Sequence, residues 1–317
     1  MTPPSVSRLD PSSSIEPDSP LVSVVVIFKD EEQFLPHAVE SVLNQTLNDW
    51  ELLLVDDGSA DSSTAIAATL AERHPGRIRR LEHQGHENLG MSASRNAGIA
   101  AARGRFITFL DADDDWMPQK LAVQVAALQA CPDAAFLASP ALYWHSWTGN
   151  AGDLGRDRPQ QLLAGVDRDL ADPVEPPALL LDFLANEWAS LCDLLIRREI
   201  VLEVGGYEPR FRGMFEDQVF HAKLCLAHRG LVSDQWWYRY RQHPSACTAR
   251  THAAGGWVKA RRNFLGWLED YVAGVDAPGA ADRRLREELA TQRRSLSTRR
   301  RVARAVAARL DRAQART

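Results

Sequence analysis

The 317-residue chain reads as an α/β fold, a Rossmann-like, mostly parallel sheet flanked by helices, followed by a helical C-terminal extension. Three observations predict it. Residues Leu21 to Phe28 form a continuous apolar, β-branched run, the pattern of a central parallel strand covered on both faces. Strand-like and helix-like segments then alternate over roughly 100 residues, as successive right-handed βαβ units require. Two of the buried runs end in acidic turns, Asp56-Asp57-Gly58-Ser59 and Asp111 to Asp115. In open α/β sheets ligands sit outside the carboxyl ends of the strands.

The elements follow in order. After the first strand, Leu35, Ala38, Val39 and Val42 fall at helical spacing. Trp50 to Val55 is a second buried strand. Ser62 to Leu70 is helical, with Asp61 or Ser62 at its N-cap. Ile78 to Leu81 is a short third strand. Ser92 to Ala102 is an Ala-rich helix closed by Gly104, and Arg105 to Leu110 is the fourth strand. A helix runs from about Gln119 to Ala130. Ala134 to Trp147 reads as one or two strands, and Thr148 to Pro177, rich in Gly, Pro, Asp and Arg, as a long loop. Leu191 to Ile196 is apolar, Arg198 to Val204 helical up to Gly205-Gly206, Phe215 to Ala227 helical, and Trp236 to Tyr240 a strand. From Trp257 onward the chain is helical and increasingly rich in Arg.

The composition sets limits. Hydrophobic content of 45% and charged content of 25% are those of an ordinary globular protein. No apolar run is long enough to span a bilayer. Residues 1–20 are rich in Pro and Ser without an apolar core, a disordered tail rather than a secretory signal. The four cysteines are widely spaced without a CxxC pair. That pattern disfavours a structural zinc site or a disulfide framework, and a cytoplasmic location is expected. Residues 282–317 hold twelve Arg and four acids, +8, so residues 1–281 carry −13 of the net −5. An acidic body argues against a nucleic-acid partner.

The residues that carry chemistry are mostly acids. Asp57 lies in a strand-end turn where a carboxylate can accept from a base N–H or a ribose hydroxyl, although Asp-Gly-Ser is also ordinary turn chemistry. An N-cap and a solvated turn account for one or two of Asp111, Asp113, Asp114 and Asp115, not all four. Crowded like charges raise one another's pKa and cost stability unless a cation neutralises them, and hard divalent cations take oxygen ligands. Glu216-Asp217 opens a helix, where acids are favoured in any case, and an ionised Asp can serve as a general base. Arg95, at a helix start, suits a phosphate. His243 can ligate a metal or donate to phosphate, while a lone His is more often structural.

Four segments together resemble the family 2 glycosyltransferases of GT-A fold. They are Ser23-Val24-Val25-Val26 through Asp30-Glu31-Glu32; Leu53 to Ser59; Asn88-Leu89-Gly90 through Arg95-Asn96-Ala97-Gly98; and Phe109 to Asp114 with its Asp-X-Asp motif. Looser matches lie at Val204-Gly205-Gly206-Tyr207 followed by Glu216-Asp217, and at His243-Pro244-Ser245. The likeness covers residues 21–250. It implies a metal-dependent, inverting transfer of one sugar from a nucleotide-diphosphate sugar, a UDP-sugar favoured, to a glycan, lipid-linked or small-molecule hydroxyl. By the same resemblance Asp57 binds the nucleobase, Arg95 lies near the base or diphosphate, and Asp111 faces the ribose. Asp113 holds Mn2+ or Mg2+ at the diphosphate, His243 adds a contact to metal or diphosphate, and Asp217 is the catalytic base. Ile27, Lys29 and Glu31 complete the donor-binding set.

The chain departs from the family where its first strand usually runs into Pro-Val-Tyr-Asn; the matching residues are Ile27, Phe28, Lys29 and Asp30. Residues 21–130 form the expected nucleotide-sugar half, 131–250 the acceptor half and 251–317 an Arg-rich extension. Acceptor candidates are Trp188, Glu216 and Arg212, with Glu187, Tyr207, Phe211 and Trp236 beside them. The extension reads as a solvated helix, a homo-oligomer contact or a peripheral membrane helix; its thin apolar stripe, Val302, Val306 and Leu310, disfavours insertion. Two other classes compete. One is a catalytically inactive nucleotide- or glycan-binding relative. The other is a nucleotidyltransferase, which needs a Gly-rich loop that Lys29-Asp30-Glu31-Glu32 does not provide.

Overall fold

The computed structural model describes residues 19–160, 173–186, 193–274 and 283–296. They fall in two compact units, one ending at Ala246 and one starting at Cys247.

In the first unit, β1 (Val22–Phe28) and β2 (Trp50–Asp56) are buried at every position, as their apolar and β-branched composition requires for strands covered on both faces. Between them runs α1 (Leu35–Leu43), whose Leu35, Ala38, Val39 and Val42 are buried. The helix α2 (Ser63–Arg73) follows β2. Its N-cap, Ser62, makes no side-chain cap bond; the Ser63 N–H instead donates to Asp61 Oδ1 at 2.9 Å. Next come β3 (Ile78–Glu82), α3 (Met91–Ala101) and β4 (Phe106–Asp111). Helix α3 lies hard against the sheet at Gly98, where a Cβ would sit 2.4 Å from Val25 Cγ1. Gly104 does not close the helix through a left-handed turn. It allows close approach, because a Cβ there would lie 2.5 Å from the Ser23 nitrogen.

The acidic run then forms β5 (Asp115–Trp116), and α4 (Lys120–Ala130) leads to β6 (Phe136–Ala138) and β7 (Ala141–Trp144). The stretch expected as a long loop from Thr148 is more ordered than its composition suggests. It contains a 3-10 segment at Ala151–Arg156 and the two-residue strand β8 (Arg158–Pro159), and its far end begins α5 (Pro176–Asn186). Residues 161–172 of that stretch lie outside the described residues. The unit closes with β9 (Leu195–Arg197), α6 (Arg198–Glu203), α7 (Glu216–Ala227), β10 (Gly230–Val232) and β11 (Tyr238–Arg241).

Seven strands make one sheet in the order β10-β6-β9-β4-β1-β2-β3. Only β9 runs against the rest, so the sheet is mostly parallel. Register places Ile27 beside both Val55 and Asp111, and Phe28 beside Asp56. Asp56 and Asp111 therefore reach the same carboxyl edge. A second sheet, β5-β11-β7-β8, takes β5 directly from the acidic run.

The second unit is helical: α8 (Cys247–Ala253), α9 (Trp257–Gly274) and residues 283–296. Phe264, Leu265, Leu268 and Val272 of α9 are buried. Val302, Val306 and Leu310 lie outside the described residues. Among the described residues no helix is long and apolar enough to cross a membrane.

Candidate functional site

Four acids cluster where β4 ends, and each has its own partner within the protein. Asp111 accepts from Arg95 at 2.6 Å, and Asp113 meets His243 Nε2 at 3.0 Å. The buried Asp114 accepts from the Tyr238 hydroxyl and, at 2.8 Å, from the Arg241 N–H. Asp115 is paired with the Arg239 guanidinium. This corrects the expectation that the run is tolerable only around a shared cation. Two of the acids fasten β11 to the strand edge instead. Burial pushes the Asp114 carboxyl well above the usual range, with Asp113 and Asp111 adding repulsion.

The meeting of Asp113 and His243 has a built surround. Arg241 Nε donates to the Asp113 carbonyl at 2.6 Å. The Arg241 guanidinium lies over Phe34 at 4.9 Å, Trp144 at 4.5 Å and Trp147 at 5.3 Å. His243 packs on Phe34, ring centroids 4.9 Å apart, and its Nδ1 is 2.7 Å from the Ser245 hydroxyl. That hydroxyl can donate or accept, so it serves either imidazole tautomer. None of Tyr238, Arg239 and Arg241 was picked out in the sequence. The available signal was the alternation Tyr-Arg-Tyr-Arg at residues 238–241, which puts both arginines on one face of a strand.

At the same carboxyl edge, the loops after β1 and β2 are stitched together. Asp30 Oδ1 accepts from the Ala60 N–H at 2.7 Å, the Glu31 N–H donates to Ser63 Oγ at 2.8 Å, and the Glu32 N–H donates to Asp61 at 3.0 Å. Lys29 is half-exposed, pairs with Asp30 at 2.9 Å and reaches the Gly58 carbonyl at 3.2 Å. Ile27 is buried in β1. Asp57 is buried, and its Oδ1 accepts from Leu89 N–H at 2.8 Å and Gly90 N–H at 3.0 Å. These bonds hold the Asn88-Leu89-Gly90 turn against the end of β2. They use part of the carboxylate's capacity of about four lone-pair sites.

Arg95, expected near the base or diphosphate, is engaged with acids of the protein. Its side chain is 3% exposed and spans two acids, Asp111 at 2.6 Å and Glu216 at 2.5 Å. Asn96 binds the Tyr207 backbone at both ends, accepting its N–H at 2.8 Å and donating to its carbonyl at 2.9 Å. The start of α3 thus grips the segment that leads into α7. Phe215, just before that helix, has φ +75°, a left-handed conformation that a bulky residue adopts only under constraint. Asp217 follows in the first turn and accepts from the Gln218 N–H at 2.7 Å. Burial, then the neighbouring Glu216, push its carboxyl up to about 8, against the pull of Arg95. Burial, with Arg95 adding, lowers His221 to about 3, and among the described residues neither of its ring nitrogens has a hydrogen-bond partner.

Among the acceptor candidates, Tyr207 is core: it is 1% exposed and stacks on Phe220 at 4.5 Å. Glu216 is buried against Arg95. Arg212 is exposed and donates to the Asn88 carbonyl at 2.7 Å. Phe211 and Trp236 are partly exposed. Glu187 and Trp188 lie outside the described residues.

The fold and this acid-lined edge define a GT-A type protein. Residues 23–171 match the model of glycosyl transferase family 2, and over that segment the chain is similar to this family. It is 36% identical over 211 residues to the cholesterol galactosyltransferase of Borreliella burgdorferi, covering 65% of this chain and 55% of that one. The matched segments span 22% to 55% of the length of the curated relatives. Two solved structures share the fold. Staphylococcus aureus TarS 1–349 in complex with UDP-GlcNAc has TM-score 0.60 and 16% identity, over 82% of this chain and 69% of TarS. The mannosyltransferase PcManGT of Pyrobaculum calidifontis, with GDP-Man and Mn2+, has TM-score 0.55 and 17% identity, over 86% of this chain and 68% of that one.

Proposed function

We propose that this chain transfers one sugar from a nucleotide-diphosphate sugar, a UDP-sugar first, to a hydroxyl acceptor with inversion of the anomeric carbon. The observation that carries the reading is the contact of Asp113 with His243, 130 residues away in the chain, at 3.0 Å on the edge where α/β folds bind ligands.

Those two side chains suit a divalent cation. Asp113 would offer it a carboxylate oxygen and His243 an imidazole nitrogen, and a bound cation would supply charge neutralisation there. Among the described residues no three His, Cys, Asp or Glu side chains converge on one point. That fits an ion held by two protein groups and completed by substrate oxygens and water, the usual manner for Mg2+. Bound there, Mn2+ or Mg2+ neutralises the diphosphate leaving group as a Lewis acid. Ser245 orients the His243 ring, and Phe34 at 4.9 Å and Trp147 at 6.4 Å flank it.

In this reading residues 21–130 bind the donor and 131–250 the acceptor. Asp57 and the Lys29 loop hold the base, Asp111 faces the ribose, and Asp217 takes the proton of the attacking hydroxyl. A carboxyl held at about 8 in the free protein is a stronger base than an ordinary carboxylate once it has lost its proton, and bound cationic charge nearby favours that ionised form. The relatives named as galactosyltransferase and mannosyltransferase, and the UDP-GlcNAc and GDP-Man complexes, support a nucleotide-sugar donor.

Thermal-shift titration with UDP-, GDP- and dTDP-sugars in Mn2+ tests donor binding, because a ligand that binds only the folded state raises the melting temperature. Release of the nucleoside diphosphate with and without Mn2+ tests turnover. No shift with any donor, together with no release, overturns the proposal.

A further inference from the structure

We propose that Arg95 and Glu216 form a positioning device for the base: Arg95 bridges the donor-side Asp111 to Glu216 and thereby fixes the first turn of α7, which carries Asp217. The inference rests on Asp217 acting as the base. It removes Arg95 from the phosphate contacts and Glu216 from the acceptor contacts, and gives both one task.

Three independent features support it. The bridge itself is short and buried. Arg95 lies 2.6 Å from Asp111 and 2.5 Å from Glu216, with only 3% of its side chain exposed. A planar guanidinium presents its donors in a rigid fork, so two acids held by one Arg have a fixed relative placement. The segment before α7 is also anchored to the same helix that bears Arg95. Asn96 holds both backbone groups of Tyr207, and Ser92 Oγ donates to the Phe211 carbonyl at 2.5 Å. The Arg95 guanidinium further lies 5.5 Å over the Tyr207 ring. Finally, the turn into α7 is strained at Phe215, φ +75°. Such a conformation is costly for a bulky residue and persists only where surrounding contacts determine it. A strained turn without these contacts would relax and swing Asp217 away from the strand edge.

The same geometry sets the electrostatics around Asp217. Glu216 on its own helix and Asp111 from β4 raise its carboxyl, whereas Arg95 from α3 lowers it; the buried Tyr207 hydroxyl is the other titratable group facing it. Breaking the bridge therefore moves the base in position and in proton affinity together. The Arg95 variants also release Asp111, whereas Glu216→Gln leaves the pair of Arg95 and Asp111 in place.

Three variants test this: Arg95→Lys, which keeps the charge but cannot span both acids; Arg95→Met, which removes the charge; and Glu216→Gln, which keeps the length. Each is assayed for Mn2+-dependent release of UDP from the UDP-sugar that gives the largest thermal shift. A displaced base loses about tenfold to a hundredfold in kcat; Glu216→Gln keeps donor KM and the UDP–Mn2+ thermal shift, and the Arg95 variants, which also free Asp111, lose more in kcat than donor KM changes. The acid limb of kcat/KM moves to higher pH in Arg95→Met and to lower pH in Glu216→Gln. A rise in donor KM at constant kcat assigns Arg95 to substrate binding and overturns the proposal, as does an unmoved limb.

Amide exchange separates this failure from failure of the reading on which it rests. If the native chain binds UDP but turns over no donor, the base assignment fails. The positioning role is then read from residues 215–219, whose amides exchange faster in Arg95→Lys at an unchanged melting temperature. Unchanged exchange there overturns it.

Discussion

Asp113 and His243 meet at 3.0 Å across 130 residues of chain, and the bond joins the end of the main sheet to the strand that leaves the small one. Removing either partner should abolish metal-dependent turnover without unfolding the protein. Asp113→Ala and His243→Ala should each lower Mn2+-dependent release of nucleoside diphosphate by about a hundredfold or more, the usual loss on removing a group that stabilises developing charge. Circular dichroism should be unchanged. Full activity in both would remove the metal from the mechanism.

The proton affinity of Asp217 gives a second expectation. Its folded-state value lies near 8, above the ordinary 3.8. The folded chain therefore binds more protons than the unfolded one between those values, and stability falls as pH rises through that window. Asp217→Asn should abolish transfer and raise the melting temperature by a few degrees at pH 8, with little effect at pH 4. In the native enzyme kcat/KM should climb with pH up to about 8. Wild-type activity in the Asn variant would reassign the base.

Asp114 touches no proposed substrate, yet it should matter. Asp114→Ala strands the Tyr238 hydroxyl and the Arg241 N–H. A buried group left without its partner costs about 1–3 kcal/mol. Because Arg241 also holds the Asp113 carbonyl, Mn2+ affinity measured by calorimetry should fall as well. Asp114→Asn, which keeps an acceptor, should lose less of both.

Glu51 predicts behaviour in acid. Burial would raise its carboxyl, but bonds from Ser23, the Arg103 N–H and Arg79 outweigh burial and hold it below the ordinary 4.5. The stabilisation is present above 4.5 and is lost as pH falls through the lowered value. Glu51→Ala should cost roughly 1.5–3 kcal/mol at pH 7 in urea unfolding, and the difference from wild type should vanish near pH 2.

The sequence was most legible where the structure is most regular. The runs that became β1, β2 and β4 are apolar on both faces, and a strand with no exposed face leaves little ambiguity of period. The acids at their ends were legible for the same reason. What each acid does was not. Asp111, Asp113, Asp114 and Asp115 look alike in one dimension, and only β11, whose tyrosine and arginines come more than 120 residues later, sorts them into two that face the open edge and two that hold the sheet. Arg95 carries the same ambiguity. A cation at a helix start is also where a phosphate binds, and nothing local indicated that Glu216 would reach it from 121 residues away. The ordered pieces between Thr148 and Pro159 were hidden because Gly, Asp and Arg there stabilise 3-10 turns through side-chain bonds such as Thr148 to Asp153, 2.7 Å, rather than through periodic burial.

The small sheet takes one strand from residues just past the acids and another from residues just before His243. During synthesis, the first four strands of the main sheet emerge long before that histidine does. A half-made chain thus carries the loops after β1 and β2 without His243, and the contact of Asp113 with His243 forms only once β11 has been made.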